Sequence, residues 1–128
     1  MARKTAKYNV LIVDDDEDMC LSLADVISLD RDYRTFFTSA PGKAIELVRK
    51  KNFSLVLMDY KMPGINGIEA MRAMKKIRPG LPVIILTAFI SKELIAEAKK
   101  EGASEVLSKF IWPDELLNQL EKVISKSG

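Results

Sequence analysis

The polar residues best suited to chemistry in this chain stand where short apolar runs end. Asp14 and Asp15 follow Leu11-Ile12-Val13, and Asp59 closes Leu55-Val56-Leu57-Met58. Thr87 closes Val83-Ile84-Ile85-Leu86, and Lys109 stands just past the stretch from Glu105 to Ser108. Each has an ordinary structural explanation when taken alone: a helix cap, a turn residue, a strand end, a solvated side chain. Their recurrence at corresponding positions favours a shared site instead. Three carboxylates drawn within several ångströms repel, each close pair costing on the order of 4 kcal/mol at an effective dielectric of about 20. A hard divalent cation removes that penalty, and magnesium favours carboxylate, carbonyl and water ligands with positions left over for phosphate. A threonine hydroxyl and a lysine ammonium both suit phosphoryl oxygens, and a carboxylate can itself be a nucleophile. The chemistry this set points to is phosphoryl transfer, which rests mainly on positioning and charge neutralisation.

Composition narrows the alternatives. The 128 residues include no histidine. That excludes an imidazole base, His-Ser and His-Cys catalytic arrangements, and histidine-ligated zinc or haem. The lone Cys20 excludes intramolecular disulfides and cysteine-cluster metal sites and suits a reducing compartment, so a cytoplasmic location is expected. The net charge of +2 hides an asymmetry, because five consecutive acids run from Asp14 to Asp18 and leave 20 basic against 13 acidic residues elsewhere. No short stretch is densely basic with interleaved aromatics, so direct nucleic-acid binding is not expected. The apolar runs are far too short to span a membrane, and the basic start from Met1 to Lys7 lacks the apolar run of a secretory signal.

The elements that must position these residues alternate regularly. Asn9 to Asp14 is a short, β-branched run typical of a strand buried on both faces. Met19, Cys20, Leu23, Val26 and Ile27 then recur at helical spacing, with acids across the first turn, where the helix dipole favours them. Tyr33 to Thr38 reads as a second strand, and Ser39-Ala40-Pro41 as a serine cap and first-turn proline opening a helix that runs to Lys51. Phe53 to Asp59 is a third strand. A helix with Ile68, Met71, Met74 and Ile77 on one stripe follows and ends at Pro79-Gly80. Val83 to Thr87 is a fourth strand, and Ser91 caps a fourth helix that stops at Gly102, suited to a left-handed closing position. Glu105 to Ser108 is a fifth strand, and Pro113 opens the last helix. Five strands alternating with five helices predict one α/β domain around a five-stranded parallel sheet over residues 8–125. Residues 1–7 and 126–128 are expected to be loose ends. In such a sheet ligands bind beyond the carboxyl ends of the strands, where the polar set collects.

The residues that carry the chemistry resemble those of a known family. Leu11-Ile12-Val13-Asp14-Asp15, the stretch Leu57-Met58-Asp59-Tyr60-Lys61-Met62-Pro63-Gly64-Ile65-Asn66-Gly67, Thr87-Ala88, Gly102-Ala103 and Lys109 occur in the order seen in receiver domains of two-component response regulators. The resemblance covers roughly residues 8–125 and implies a doubly wound, flavodoxin-like sheet with the strand order 2-1-3-4-5. It also implies that Asp59 accepts a phosphoryl group from the phosphohistidine of a sensor kinase or histidine phosphotransfer protein. By the same resemblance Asp15 and Asp59 ligate Mg²⁺ through side chains, Lys61 through its backbone carbonyl and Asp14 through water. Thr87 and Lys109 would contact the phosphoryl group and pass its presence to the surface around the fourth helix, fifth strand and fifth helix. Asp16 lies beyond the acidic pair and reads as the helix start.

Two departures from the family pattern bear on switching. Receivers usually carry proline after the late lysine, often on a cis bond, where this chain has Phe110. A cis bond before a non-proline residue costs about 3–4 kcal/mol, so a trans Lys109–Phe110 bond and a reshaped loop are expected. Val106 stands where many receivers place an aromatic residue that swings inward on activation, a movement valine cannot make. The trio Phe110-Ile111-Trp112 has two readings. Either Ile111 plugs the core while the aromatics fold over neighbouring loops, or the aromatics dock an output partner or a second copy in a weak homodimer. Phe89 is bulky enough to limit water access to a phosphorylated Asp59.

The leading reading is a phosphorylatable signalling switch that catalyses only its own phosphorylation and dephosphorylation. The alternative, motivated by Phe110 and Val106, is a binding module of the same fold with a degenerate switch. A magnesium-dependent phosphatase working through an aspartyl intermediate fits less well, because its D-x-D nucleophile belongs to the first strand. An FMN carrier would want a hydroxyl- and glycine-rich loop where this chain has five acids. No DNA-binding or enzymatic segment follows the last helix as the sequence stands. The expectation is a receiver acting through protein contacts, or one excised from a longer regulator.

Overall fold

A computed structural model describes residues 6–127. The elements alternate as β1 Tyr8–Val13, α1 Glu17–Ile27, β2 Tyr33–Thr38, α2 Pro41–Lys50, β3 Leu55–Asp59, α3 Gly67–Ile77, β4 Val83–Thr87, α4 Lys92–Lys100, β5 Glu105–Ser108 and α5 Pro113–Ser127. All strand pairs are parallel, and the sheet order is β2-β1-β3-β4-β5. This is the doubly wound, flavodoxin-like arrangement expected. The chain turns back at β1, which lies between β2 and β3 and opens a crevice at their carboxyl ends.

The side-chain alternation of each strand feeds two cores. Val10, Ile12, Leu55, Leu57, Ile84 and Leu86 pack against Cys20, Leu23 and Ile27 of α1 and Leu116, Leu120, Val123 and Ile124 of α5. Leu11, Val13, Val56, Met58, Val83, Ile85 and Val106 pack against α2, α3 and α4 through residues such as Val48, Met71, Met74 and Ala98. β3 and β4 are therefore apolar at every position before their last residues, as burial on both faces requires. A fully buried Leu57 or Ile84 contributes roughly 1.5–3 kcal/mol from removal from water. This apolar slab holds the strand ends rigid relative to one another.

The caps refine the sequence reading. Asp16 is the N-cap of α1, its carboxylate accepting from the Asp18 and Met19 amides, so its role is structural as expected. Ser91 caps α4 through the Leu94 amide, and Gly102 closes that helix at φ +111°. Ser39 does not cap α2. The helix starts one residue later than anticipated: Ala40 is the N-cap, with no side-chain bond, and its own amide donates to the Thr38 hydroxyl. The C-terminal end is also longer than expected: α5 continues through Lys126 to Ser127, whose hydroxyl bonds the Ile124 carbonyl, in place of a loose end at 126. At the other end β1 begins at Tyr8, directly after the exposed Lys7. Residues 1–5 and Gly128 lie outside the described residues.

Candidate functional site

The carboxyl edge of the sheet gathers the polar set. Asp14 follows β1 and Asp59 is the last residue of β3, and both sit on the α1/α5 side by alternation with Ile12 and Leu57. They are 1% and 2% exposed, with Thr87 (6%) the only other buried polar residue among those described. Asp15 stands beside them in the exposed mouth of the site. One oxygen from each of Asp14, Asp15 and Asp59 lies within 4.8 Å of the others. Lys109 bridges the buried pair, its Nζ 2.9 Å from Asp59 Oδ1 and 3.1 Å from Asp14 Oδ2.

Local folding makes this convergence obligatory. Asp14 is held from within its own loop: its Oδ1 accepts the Asp16 amide at 2.9 Å, and its carbonyl accepts from Cys20 Sγ. Burial, then the charge of Asp14, pushes the Cys20 thiol up to about 11, so this cysteine is a neutral donor rather than a nucleophile. The loop after β3 folds back on the site, with the Gly67 amide bonding the Tyr60 carbonyl at 2.7 Å. A Cβ at Gly67 would lie 2.5 Å from the Asp59 carbonyl oxygen, so only glycine permits this close return. Asn66 then starts α3 with a reciprocal capping box to Glu69.

The electrostatics follow from the geometry. Burial pushes the Asp59 carboxyl up to about 6, helped by the neighbouring Asp14 charge and by Asp15, while Lys109 opposes the shift. Burial works to lower the Lys109 ammonium, but its contacts with Asp59 and Asp14 win and its net shift is upward. Asp59 Oδ2 is buried and has no hydrogen-bond partner. Three oxygen donors of hard character and one buried carboxylate oxygen left unsatisfied fit a hard divalent cation. An all-carboxylate cluster with no histidine or thiolate donor does not suit zinc or copper.

Thr87 reaches the same cleft but is engaged by its own loop. Its Oγ1 accepts the Phe89 amide at 3.2 Å and donates to the Phe89 carbonyl at 3.4 Å. The cleft, about 600 Å³, is bordered by Asp15, Asp59, Lys61, Thr87, Phe89 and Lys109 and continues to Glu93, Leu94 and Glu97 on α4. The structure thus brings Asp14, Asp15, Asp59 and Lys109 into one cluster and places Thr87, Lys61 and Phe89 on its border. Val106 lies apart, buried at 4% in the core beneath α4. Phe110 and Trp112 are both 78% exposed, so they do not fold over neighbouring loops, whereas Ile111 packs against the α1/α5 core. The Lys109–Phe110 bond is trans, as are all peptide bonds among the described residues. Sequence reasoning missed the Gly67 return, the Cys20 tether, the extension toward α4 and a turn at Ser108. Of these only Gly67 left a signal, as a second glycine three residues past Gly64.

A doubly wound parallel sheet carrying a lysine-bridged acidic cluster at its carboxyl edge defines a class of α/β domains whose ligand crevice lies at the strand ends. Comparison with known proteins narrows that class. Residues 10–121 match the response regulator receiver domain family. The chain is 35% identical over 115 residues to sporulation initiation phosphotransferase F of Bacillus subtilis, covering 90% of this chain and 92% of that protein. It is 35% identical over 119 residues to the transcriptional regulatory protein ZraR of Salmonella typhimurium, covering 93% of this chain but only 27% of ZraR. The chain therefore spans about a quarter of the length of that relative. Among solved structures, a CheY-like response regulator receiver domain protein from Methanospirillum hungatei superposes with a TM-score of 0.87 at 26% identity, covering 96% and 97% of the two chains. This chain belongs to the response regulator receiver domain family of two-component signalling. No helix among the described residues is long and apolar enough to cross a membrane.

Proposed function

We propose that the chain is a phosphoacceptor switch that takes a phosphoryl group from a phosphohistidine onto Asp59. The observation that carries this reading is the buried Asp59 carboxylate, paired through one oxygen with Lys109 and left unsatisfied at the other. Asp15 and Asp59 through their side chains, Lys61 through its backbone carbonyl and Asp14 through water would hold Mg²⁺. That ion supplies neutralisation of the carboxylates and of the incoming phosphoryl oxygens. A carboxylate oxygen of Asp59 forms the new O–P bond while the P–N bond to the donor imidazole breaks, its electron pair returning to the imidazole, which takes up a proton. Lys109, held above its usual range by two carboxylates, stays charged throughout and can follow the phosphoryl oxygens as a mobile cation. Thr87 can offer its hydroxyl to the same group only by releasing the Phe89 carbonyl. That exchange links the site to the loop before α4 and to the surface of α4, β5 and α5, where an output partner would sense it.

Because these 128 residues contain no histidine, the donor imidazole lies outside them, on a sensor kinase or histidine phosphotransfer protein. The role is that of a signalling switch and not of an enzyme with turnover. A binding module of receiver fold with a silent switch is the second reading, supported by Val106 and by the occupied Thr87 hydroxyl. Incubation with a small acyl phosphate and Mg²⁺, followed by intact mass measurement, separates the two. The phosphoacceptor gains one phosphoryl group and Asp59→Asn gains none, whereas an unmodified parent chain would leave the binding-module reading standing.

A further inference from the structure

The strand before Lys109 ends in a serine whose hydroxyl is committed to the backbone. Ser108 Oγ accepts the Phe110 amide at 3.0 Å, and the Ser108 carbonyl accepts the Ile111 amide at 3.2 Å. On the other side, the Lys109 amide donates to the Thr87 carbonyl at 2.9 Å. The Phe110 nitrogen shares a peptide plane with the Lys109 carbonyl, so the Ser108 bond restrains rotation on the carboxyl side of the Lys109 Cα. The bond to Thr87 restrains rotation on its amino side. Both backbone torsions of Lys109 are thereby set before its side chain begins. A lysine side chain has wide rotamer freedom, so a fixed starting vector decides how often its Nζ bridges Asp14 and Asp59.

The same turn explains how the loop tolerates a residue other than proline. Phe110 has an amide hydrogen to give, and Ser108 supplies the acceptor that uses it. Register pairs Ser108 with Thr87, whose hydroxyl accepts the Phe89 amide in the same manner. Two hydroxyl-closed turns therefore stand side by side at the carboxyl edge of the sheet. One holds the lysine, while the other must open for Thr87 to reach a phosphoryl group.

We propose that Ser108 is a positioning residue for phosphoryl transfer, holding Lys109 on the acidic pair through the Ser108–Phe110 turn. The proposal rests on the phosphoacceptor reading for its functional consequence but not for its geometry. Two readouts on the full chain therefore test it. Lysine footprinting with an amine-acylating reagent, resolved by residue, reports how well Lys109 is held without any phosphorylation. Ser108→Ala should be acylated at Lys109 several-fold faster than the parent, with other lysines unchanged, and Ser108→Thr should return the parent rate. In phosphorylation by a small acyl phosphate at saturating Mg²⁺, Ser108→Ala should be slowed by roughly tenfold while its Mg²⁺ affinity is retained. Threonine should again rescue, and in a Phe110→Pro background, which lacks the amide, Ser108→Ala should have no further effect. Parent-like Lys109 labelling in Ser108→Ala, failure of threonine to rescue, or an undiminished serine effect in the Phe110→Pro background would overturn the proposal. A parent chain that takes up no phosphoryl group would instead defeat the phosphoacceptor reading, leaving the footprint to decide the placement of Lys109.

Discussion

Replacing Asp59 with asparagine should stabilise the metal-free protein. Asp59 is 2% exposed and shares one lysine with Asp14, so its carboxylate is held near another negative charge in a poorly hydrated place. Its carboxyl is raised from 3.8 to about 6, a consequence chiefly of burial. Between those values the native state holds a proton that the unfolded state has lost, so stability falls as pH rises through this window. The favourable contribution of the protonated form is complete below 3.8 and lost above about 6. At about 1.4 kcal/mol per pH unit this rise sets an upper bound of about 3 kcal/mol above pH 7, which local relaxation and solvent screening at the open cleft reduce to about 1–2 kcal/mol. Asparagine keeps the shape and removes the charge, so Asp59→Asn should recover that amount. Urea unfolding followed by far-UV circular dichroism in EDTA, at pH 4 and pH 7.5, measures it through the transition midpoint. The gain should be near zero at the lower pH and full at the higher, and saturating Mg²⁺ should erase it by stabilising the parent. A gain equal at both pH values, or a variant less stable at pH 7.5, would refute the electrostatic argument.

Three further outcomes follow from the same geometry. Gly67→Ala forces a Cβ to 2.5 Å from the Asp59 carbonyl and 2.9 Å from the Tyr60 Cα, both backbone atoms. It should lower stability by about 1–3 kcal/mol, and a midpoint matching the parent would show that the loop yields freely. Phe89→Ala opens the border of the cleft to water, so decay of a phosphorylated Asp59 should quicken; an unchanged lifetime would remove Phe89 from that role. The exposed Phe110 and Trp112 predict concentration-dependent sedimentation or crosslinking that Trp112→Ala diminishes, and identical profiles for the two chains would count against a homodimer at this surface.

Much of this molecule was legible from residue order because its signals are redundant. β2, β4 and β5 start and stop at the residues expected, since β-branched and aromatic runs there are bounded by turn residues. β1 and β3 were displaced by one or two residues at their ends. Phe53 is buried against Phe36 without joining the ladder, so its apolar character spoke for packing rather than pairing. The acidic cluster was legible because a strand end fixes where its last side chain lies. Asp14, Asp59 and Lys109 needed only the sheet order to meet. The Ser39 cap is absent because α2 begins one residue later, with Ala40 at the N-cap and Pro41 as its first residue, and proline is accommodated in either register of the first turn. The exposure of Phe110 and Trp112, the return of Gly67 onto Asp59 and the Ser108 turn depend on loop paths that no spacing encodes. Phe110 was visible as a departure from the family, but its amide partner was not.

We assign phosphoryl acceptance to Asp59. Its most direct test is transfer from a radiolabelled phosphohistidine protein in the presence of Mg²⁺, followed by digestion and location of the label. Hydroxylamine-labile label is expected on the peptide containing Asp59, absent in EDTA and absent in Asp59→Asn. Label that persists in Asp59→Asn, or that appears on another peptide, would contradict it.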